Sequence, residues 1–188
     1  MTLCPILPVG EIMQTLFTDT RNASQGYTLI ELITALAIVM ILCGLAVPSL
    51  RHFLQQIRLS SATSDLYGAI HLARAEAIKR NGKVDLTAIA GDWKNGWVIS
   101  SSDNEQIMAH EPLHEDITVS AKFSDGTQHI SYNGTGRSRS NSSTTQSQSG
   151  HIYLSVGDHA RSIIVNFLGH VRVCNPATEP SCTLTSTD

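Results

Sequence analysis

One cluster of side chains in this sequence has the composition of a metal site. His110, Glu111, His114 and Glu115 fall within six positions, and imidazole and carboxylate groups are common ligands of Zn²⁺. Pro112 separates the two histidines and interrupts any helix that would bring the four groups to one face. We therefore favour a solvated acidic loop, and we predict neither a metal site nor a cofactor. No catalytic motif such as Gly-x-Ser-x-Gly, a phosphate-binding loop or His-Glu-x-x-His is present, so an enzyme is not predicted.

A second set of residues has the chemistry of phosphate recognition. Gly136–Arg139 places two arginines in an uncharged polar stretch, and Gly169–Arg172 has a similar shape with a histidine in place of the first arginine. The planar guanidinium group donates paired hydrogen bonds to phosphate, and neighbouring Ser, Thr, Asn and Gln side chains add contacts without reading sequence. The alternative is that these cations form ordinary soluble surface. The candidate contacts with a DNA backbone are Arg137, Arg139, Arg161, His170 and Arg172.

The charge of the chain is unevenly distributed, although its formal net value is only −3. Residues 100–125 carry six carboxylates against one lysine, whereas residues 126–173 carry four arginines against one aspartate. The C-terminal part of the chain is therefore electrically two-sided. A net-acidic protein with a few clustered arginines is expected to bind a polyanion weakly and in a salt-sensitive way.

The elements that position these groups begin with the longest apolar run of the chain. No charged residue occurs from Leu32 to Leu50, and at about 1.5 Å per helical residue this run approaches the roughly 30 Å hydrocarbon core of a bilayer. One carboxylate, Glu31, lies at its N-terminal edge, where an unpaired acid is costly. A secretory signal peptide has a shorter apolar region. An ordinary single-pass anchor would explain the length of the run but not the sequence in front of it.

The hexapeptide Gly-Tyr-Thr-Leu-Ile-Glu at residues 26–31 resembles the processing site of type IV prepilins, with tyrosine where phenylalanine is usual. The resemblance implies cleavage by a prepilin peptidase between Gly26 and Tyr27, and N-methylation of Tyr27. It also implies that Glu31 and Pro48 act in filament assembly. Glu31 would neutralise the N-terminal amine of a neighbouring subunit, which makes the burial of both charges tolerable.

Beyond the apolar run, the pattern changes first to an amphipathic helix and then to strands. Apolar residues recur at helical spacing up to Arg80, and Asn81-Gly82 supplies a stop signal. Short alternating runs after it predict a mainly antiparallel sheet. We therefore predict an α+β, type IV pilin-like fold, in which a long N-terminal helical spine packs against a β-rich head. The expected segments are 1–26 (leader), 27–50 (transmembrane and filament-core helix), 51–82 (amphipathic continuation) and 83–188 (head).

Two stretches of the head have sequences that predict opposite degrees of burial. Residues 134–150 are rich in Ser, Thr, Gln and Gly and contain no apolar side chain, so we expect a mobile surface loop. Trp93 and Trp97 flank Lys-Asn-Gly, which predicts two core or rim aromatics around a tight turn.

The segment from Trp93 to Trp97, together with Ala-Arg-Ala-Glu-Ala at residues 73–77, is similar to sequences of the GspH/FimT group of minor pilins and pseudopilins. The resemblance covers most of residues 26–174.

The cysteines indicate one short loop in the head. Cys174 and Cys182 enclose seven residues, and in an extracytoplasmic head such a pair favours a disulfide. A metal site would need further Cys or His ligands nearby, and none is present. Cys4 falls in the leader and Cys43 in the apolar run, so neither is placed to bridge with the other.

The resemblance implies a FimT-like minor pilin that is assembled into, or primes, a type IV pilus. The alternative is a GspH-type pseudopilin of a type II secretion system. FimT-like minor pilins that capture DNA for natural transformation carry a Gly-Arg-x-Arg motif in the head, which Gly136–Arg139 matches by letter. The implied partners are other pilin subunits, the prepilin peptidase, the inner membrane and double-stranded DNA. The implied location is the inner membrane, with the head in the periplasm, and later the pilus or pseudopilus.

Overall fold

The structure is a computed structural model that describes residues 27–140 and 143–182, without the side chains of residues 45–48, 143 and 144. The predicted leader and Gly26 lie outside the described residues, as does the side chain of Pro48. The chain divides into two units between Leu45 and Ala46.

A single α-helix, α1, runs from Leu29 to Arg80 over 52 residues. Thr28 caps its start, because the hydroxyl Oγ1 of Thr28 accepts a hydrogen bond at 3.3 Å from the backbone N–H of Glu31. Thr28-x-x-Glu31 also has the sequence of a capping box, and an acidic residue in the first turn complements the helix dipole.

The other end of α1 is closed by backbone hydrogen bonds of the Schellman pattern. The N–H of Gly82 donates to the carbonyl of Ala77, and the N–H of Asn81 donates to that of Ile78, both at 3.1 Å. Asn81 adopts a left-handed φ of 46°, a conformation that asparagine adopts more often than most residues. The helix therefore ends at Arg80, the predicted residue.

The part of α1 in the N-terminal unit exposes its apolar side chains. Leu29, Leu32, Leu36, Ile38 and Met40 are all about half exposed or more. In the described part of the chain, α1 is the one helix that is long and apolar enough to cross a membrane. A helix with this surface needs lipid or neighbouring apolar helices to cover it.

The C-terminal half of α1 belongs to the second unit and buries one stripe against the head. Its buried residues recur every three or four positions, which places them on one face. Leu66 and Ile70 are completely buried at the centre of this face, so truncation of Leu66 to alanine is expected to cost about 2–5 kcal/mol. The members of the stripe are Leu59, Ala62, Leu66, Ala69, Ile70, Ala73 and Ala77.

The described residues after α1 form ten strands and three short 3₁₀ turns. The strands are β1 (Val84–Ala88), β2 (Trp97–Ser101), β3 (Gln106–His110), β4 (Thr118–Phe123), β5 (His129–Tyr132), β6 (Ser138–Ser140), β7 (Ser143–Ser147), β8 (Gly150–Val156), β9 (His159–Val165) and β10 (Val171–Cys174). The 3₁₀ turns are Ile89–Gly91, Trp93–Asn95 and Pro180–Cys182.

The strands form two antiparallel sheets that share one core with α1. One sheet has the order β3-β2-β1-β5-β6-β7, and the other has the order β10-β9-β8-β4. Strands β1, β2 and β8 alternate between buried and less buried residues, which is the pattern of strands with one face on the core. Trp93 and Trp97 are 2% and 0% exposed, so both are core aromatics. The predicted α+β fold with a helix packed on antiparallel strands is confirmed, with two sheets instead of one.

The prediction of a surface loop over residues 134–150 is wrong for much of that segment. Strands β6 and β7 form a hairpin there, and β6 pairs with β5 at the edge of the larger sheet. Ser138, Ser140 and Gln148 are 2% exposed or less. These strands form without apolar side chains because the edge of β5 offers hydrogen-bond partners to their backbone. The buried Gln148 side chain is stabilised by its hydrogen bonds to Ser131 and His129.

Candidate nucleic-acid interface

Two turns of the head have the same sequence pattern and the same hydrogen bonds. The β5–β6 turn is Asn133-Gly-Thr-Gly-Arg137, and the β9–β10 turn is Asn166-Phe-Leu-Gly-His170. In each turn, the asparagine Oδ1 accepts a hydrogen bond from the N–H of the fifth residue, at 3.0 Å from Arg137 and 2.9 Å from His170. The fourth residue is a glycine with a left-handed φ, 71° in one turn and 82° in the other. Glycine takes this conformation at no steric cost.

The two turns touch through their glycines. A Cβ atom placed on Gly169 would lie 2.3 Å from the carbonyl oxygen of Gly136 and 3.0 Å from the Cε1 atom of Tyr132. Only a residue without a side chain allows this approach. The Tyr132 side chain is fully buried, and burial raises the pKa of its phenol. The phenol therefore stays uncharged, and its ring packs beneath the contact between the two glycines.

The helix holds the first of these turns in place. The Nε atom of Arg74, on α1, donates a hydrogen bond at 2.9 Å to the carbonyl oxygen of Gly136. A Cβ atom on Gly136 would lie 2.7 Å from the Cδ1 atom of Ile78, so the turn also rests directly on the helix surface. Arg74 is not among the site residues predicted from the sequence, because its contact partner Gly136 is 62 positions away in the chain.

Three basic residues adjoin the contact between the two turns, and we call them the turn cluster: Arg74, Arg137 and His170. Arg137 and His170 follow the two touching glycines and are exposed, and Arg74 lies half-buried beside them. Among the described residues, the side chains of Arg137 and His170 form no hydrogen bond or ion pair. Glu76, on the same helix, is paired with Lys79 at 2.9 Å and with Arg80 at 2.8 Å. The turn cluster therefore presents positive charge without a carboxylate partner in the part of the chain that the structure describes.

The other three predicted arginines lie elsewhere. Arg139 belongs to β6, and its NH1 group donates to the carbonyl of Thr145 on β7 at 2.9 Å. Arg172 belongs to β10, and its NH2 group donates to the carbonyl of Ser181 at 2.9 Å. The structure thus brings into contact the turns that carry Arg137 and His170, whereas Arg139 and Arg172 donate hydrogen bonds to backbone carbonyls within the head.

Arg161 lines a separate cavity of about 260 Å³ between α1 and the smaller sheet. It lies near the start of β9, whereas the turn cluster lies beyond the end of that strand. Its NH1 group donates to the carbonyl of Ala160 at 2.9 Å. The other residues of this cavity are Ser60, Thr63, Ser64, Tyr67 and Val173.

The predicted disulfide region closes the C-terminal end of the smaller sheet. Cys174, the last residue of β10, is bonded to Cys182, and the Cα atoms are 5.8 Å apart. Because Arg172 donates to Ser181 inside this loop, the loop is joined to the strand by a covalent bond and by hydrogen bonds.

A buried polar cluster lies beside the larger sheet. The Nε2 amide of Gln148 donates to the carbonyl of His129 at 2.8 Å and to both carboxylate oxygens of Asp125. Burial lowers the pKa of His129, which is only 8% exposed. Burial opposes ionisation of Asp125, but hydrogen bonds from Thr127 and Gln148 prevail and hold the pKa of Asp125 below its usual value. Because Asp125, His129 and Gln148 are hydrogen-bonded within the head, we assign this cluster a stabilising role.

The histidines and carboxylates of residues 110–116 lie at the end of β3 and in the loop that leads to β4, and this loop contacts α1. Asp116 forms an ion pair at 2.6 Å with Arg58 of α1, and the ring of His110 stacks on Trp97 with centroids 4.1 Å apart. No group of three His, Cys, Asp or Glu side chains in the described ranges could hold a metal ion.

The long apolar helix, the antiparallel head and the sequence at the start of the helix together define a pilin-like protein. Residues 21–47 match the prokaryotic N-terminal methylation motif. Residues 62–169 match the family described as type II transport protein GspH, and the chain belongs to this family. It is therefore a minor pilin or pseudopilin, a class of proteins that assemble with other pilin subunits and are generally not enzymes.

Solved structures show the same fold. One crystal structure of the type IV minor pilin FimU from Pseudomonas aeruginosa superposes with a TM-score of 0.53 at 20% identity, and covers 69% of this chain and 98% of that one. A second crystal form of FimU gives a TM-score of 0.50 at 20% identity, with 66% and 98% covered. No curated protein matches the chain.

Proposed function

We propose that this chain is a FimT-like minor pilin that binds extracellular DNA through the turn cluster and serves DNA uptake in natural transformation. The observation that supports this proposal is the contact between two turns of the same hydrogen-bond pattern, at Gly136 and Gly169, which are followed directly by Arg137 and His170 and lie next to Arg74. An arginine fork without an internal partner suits phosphate oxygens. Backbone N–H groups and polar turn residues around it would add contacts that are independent of sequence.

Binding by a single head is expected to be weak. Each phosphate that is neutralised contributes about −0.9 to the slope of log K against log salt, so the two arginines of the turn cluster give a slope of roughly −2. A filament that carries several copies of the head raises the effective concentration of binding sites, provided the spacing allows simultaneous contact. Weak single sites are therefore compatible with DNA capture by an assembled pilus.

The N-terminal segment gives the chain its place in the cell in this proposal. A prepilin peptidase removes residues 1–26 by cleaving between Gly26 and Tyr27, and Tyr27 is then N-methylated. The methylation-motif match supports this processing, and the apolar length of α1 supports a single span of the inner membrane with the head in the periplasm. Within the described residues the side chain of Glu31 has no ion-pair partner, which leaves it free for the N-terminal amine of a neighbouring subunit. In this proposal Pro48, like Glu31, acts in filament assembly.

The test is a titration of the full-length protein, in an uncharged detergent, with double-stranded DNA at several salt concentrations. The informative variant is the double substitution Arg137→Gln and His170→Gln, and we expect it to weaken binding and flatten the salt slope. A matched control, Arg161→Gln with His159→Gln, removes one arginine and one histidine at the opposite end of β9. Equal losses in both variants would show that the turn cluster is not the site. No binding of double-stranded DNA by the parent at low salt would reject capture of duplex DNA.

The alternative function is that of a pseudopilin of a type II secretion system, and the family match over residues 62–169 is compatible with it as well. It predicts a protein partner within a pseudopilus and no requirement for Arg137 or His170. Deletion of the chain in its host would then abolish secretion of exported proteins and leave transformation intact.

A further inference from the structure

We propose that Phe167 is a stacking platform for an unpaired base, so that the turn cluster binds single-stranded DNA in preference to closed duplex. This inference rests on the proposed DNA binding and specifies the form of DNA that the site takes. Its starting observation is that Phe167 is 56% exposed and Leu168 is 38% exposed, at the tip of the turn that carries His170.

The turn itself does not require these two apolar residues. Asn166 fixes the backbone, because its Oδ1 atom accepts from Leu168 N–H at 3.0 Å and from His170 N–H at 2.9 Å. The corresponding corner positions of the twin turn are Gly134 and Thr135, and small or polar residues are what β-turn corners usually hold.

Packing does not require them either. Neither Phe167 nor Leu168 belongs to the core or to the partly buried residues that pack against it. An exposed aromatic side chain beside cations indicates a surface that meets a partner with both charge and flat apolar faces. Nucleic acid has both, since its phosphates carry negative charge and every base has a π-face.

The geometry joins the aromatic ring to the cations. Phe167 and His170 lie in one five-residue turn, and Gly169 of that turn touches Gly136, the residue before Arg137. In this proposal, a strand whose phosphates contact Arg137 and His170 places one base on the Phe167 ring. Arg74 fixes the position of the neighbouring turn through its hydrogen bond to Gly136.

The preference for an unpaired base follows from comparing two effects. Stacking of one base on an aromatic side chain raises affinity by about 5- to 150-fold. Insertion of an aromatic wedge into a duplex must first unstack a base step, which offsets a gain of that size unless the DNA bends to contact much more protein. Two basic residues on the two turns and one on α1 provide no such extended surface. An unpaired base, on a single strand or at a frayed end, has no unstacking to offset.

The experiment uses the full-length protein in uncharged detergent with three probes: oligothymidylate of about 20 nucleotides, a blunt linear duplex and a closed circular duplex. We expect oligothymidylate to bind most tightly and the circle least, with the linear duplex between them because its ends fray. Phe167→Ala should weaken oligothymidylate binding by about 5- to 150-fold and change binding of the circle less than about twofold. Phe167→Trp should retain the preference, and Leu168→Ala is the matched control that removes an apolar side chain from the same turn.

Three other outcomes would overturn the stacking role of Phe167, and they differ in what they imply for DNA binding. Equal affinity of the parent for oligothymidylate and the circle, or an equal loss on both in Phe167→Ala, would leave the turn cluster as a backbone site without stacking. Absence of binding to every probe would reject the proposed DNA binding as well. If Phe167→Ala impaired filament incorporation but left all three affinities unchanged, the exposed ring would be a subunit contact.

Discussion

The Nε atom of Arg74 donates a hydrogen bond to the carbonyl oxygen of Gly136, 62 positions later in the chain, at 2.9 Å. This contact joins the spine helix to the β5–β6 turn, and that turn in turn touches Gly169 of the β9–β10 turn. One arginine therefore sets the position of both glycine turns relative to the helix. The turn cluster is a product of tertiary packing across three distant segments.

Removal of this contact is expected to destabilise the head. Arg74→Ala leaves the Gly136 carbonyl without its charged donor, and hydrogen bonds to charged groups are worth about 1.5–3 kcal/mol. The free energy of unfolding, measured by denaturant titration, should fall by about that amount. The control Lys79→Ala removes an exposed cation from the same helix and should change the free energy by less than about 0.5 kcal/mol.

Substitution of Gly169 separates steric contact from backbone conformation. Gly169→Ala places a methyl group against the Gly136 carbonyl and also strains a residue whose φ is 82°. The control is Gly126→Ala, because Gly126 has a φ of 71° but no atom within 4 Å of the added methyl group. We expect a loss of about 1–2 kcal/mol for Gly126→Ala and a clearly larger loss for Gly169→Ala. Equal melting temperatures for the two variants would show that the turns separate without cost.

The stability of the head should fall in mildly acidic solution. Burial lowers the pKa of both His129 and His151, so the unfolded chain binds protons more readily than the folded one. Their contribution is complete above the unfolded pKa of about 6.5 and is lost as the pH falls through the folded values. Asp125, whose pKa is also lowered, adds a further loss at lower pH.

Melting temperatures measured from pH 7.5 to pH 5 test this dependence. His129→Gln and His151→Gln should each flatten the decline, whatever they do to the stability at pH 7.5. The exposed His71 gives the control variant His71→Gln, which should decline like the parent. A slope unchanged by all three substitutions would locate the pH sensitivity elsewhere.

Opening of the disulfide should loosen the end of the smaller sheet without unfolding the core. Cys174 and Cys182 are eight positions apart, and closing so short a loop stabilises the folded state by about 2–3 kcal/mol in the chain-entropy model. Cys182→Ser should lower the free energy of unfolding by about that amount and raise hydrogen exchange in β10. Unchanged exchange there would mean that the hydrogen bonds of Arg172 to Ser181 hold the loop unaided.

The proposed role of Glu31 separates processing from assembly. Glu31→Ala and Glu31→Val should still be cleaved after Gly26, because the carboxylate is assigned to contact between subunits. Both should enter filaments poorly, since the N-terminal amine of the neighbour would be buried without its counter-charge. Thr34→Ala, one helical turn further on, is a control for a change on the same helix. Normal incorporation of Glu31→Ala would refute the assignment.

Local sequence determined the elements and the class of this protein. The uncharged run after Glu31 and the amphipathic pattern beyond it predict a long helix, and Asn81-Gly82 ends it at Arg80 because both residues suit the required backbone conformation. Alternating apolar residues likewise predict most of the strands. These signals are readable because hydrophobic period and capping act between residues that are near each other in the chain.

Tertiary structure alone decided the candidate site and the hairpin of residues 138–147. The sequence does not show which of the five predicted basic residues lie close together, but in the structure Arg139 and Arg172 donate to backbone carbonyl groups while the turns that carry Arg137 and His170 touch at Gly136 and Gly169. Strands β6 and β7 lack any apolar side chain and exist because the edge of β5 offers hydrogen-bond partners. Such pairings depend on which strand edges and turns the fold brings together, and no local pattern of residues encodes that proximity.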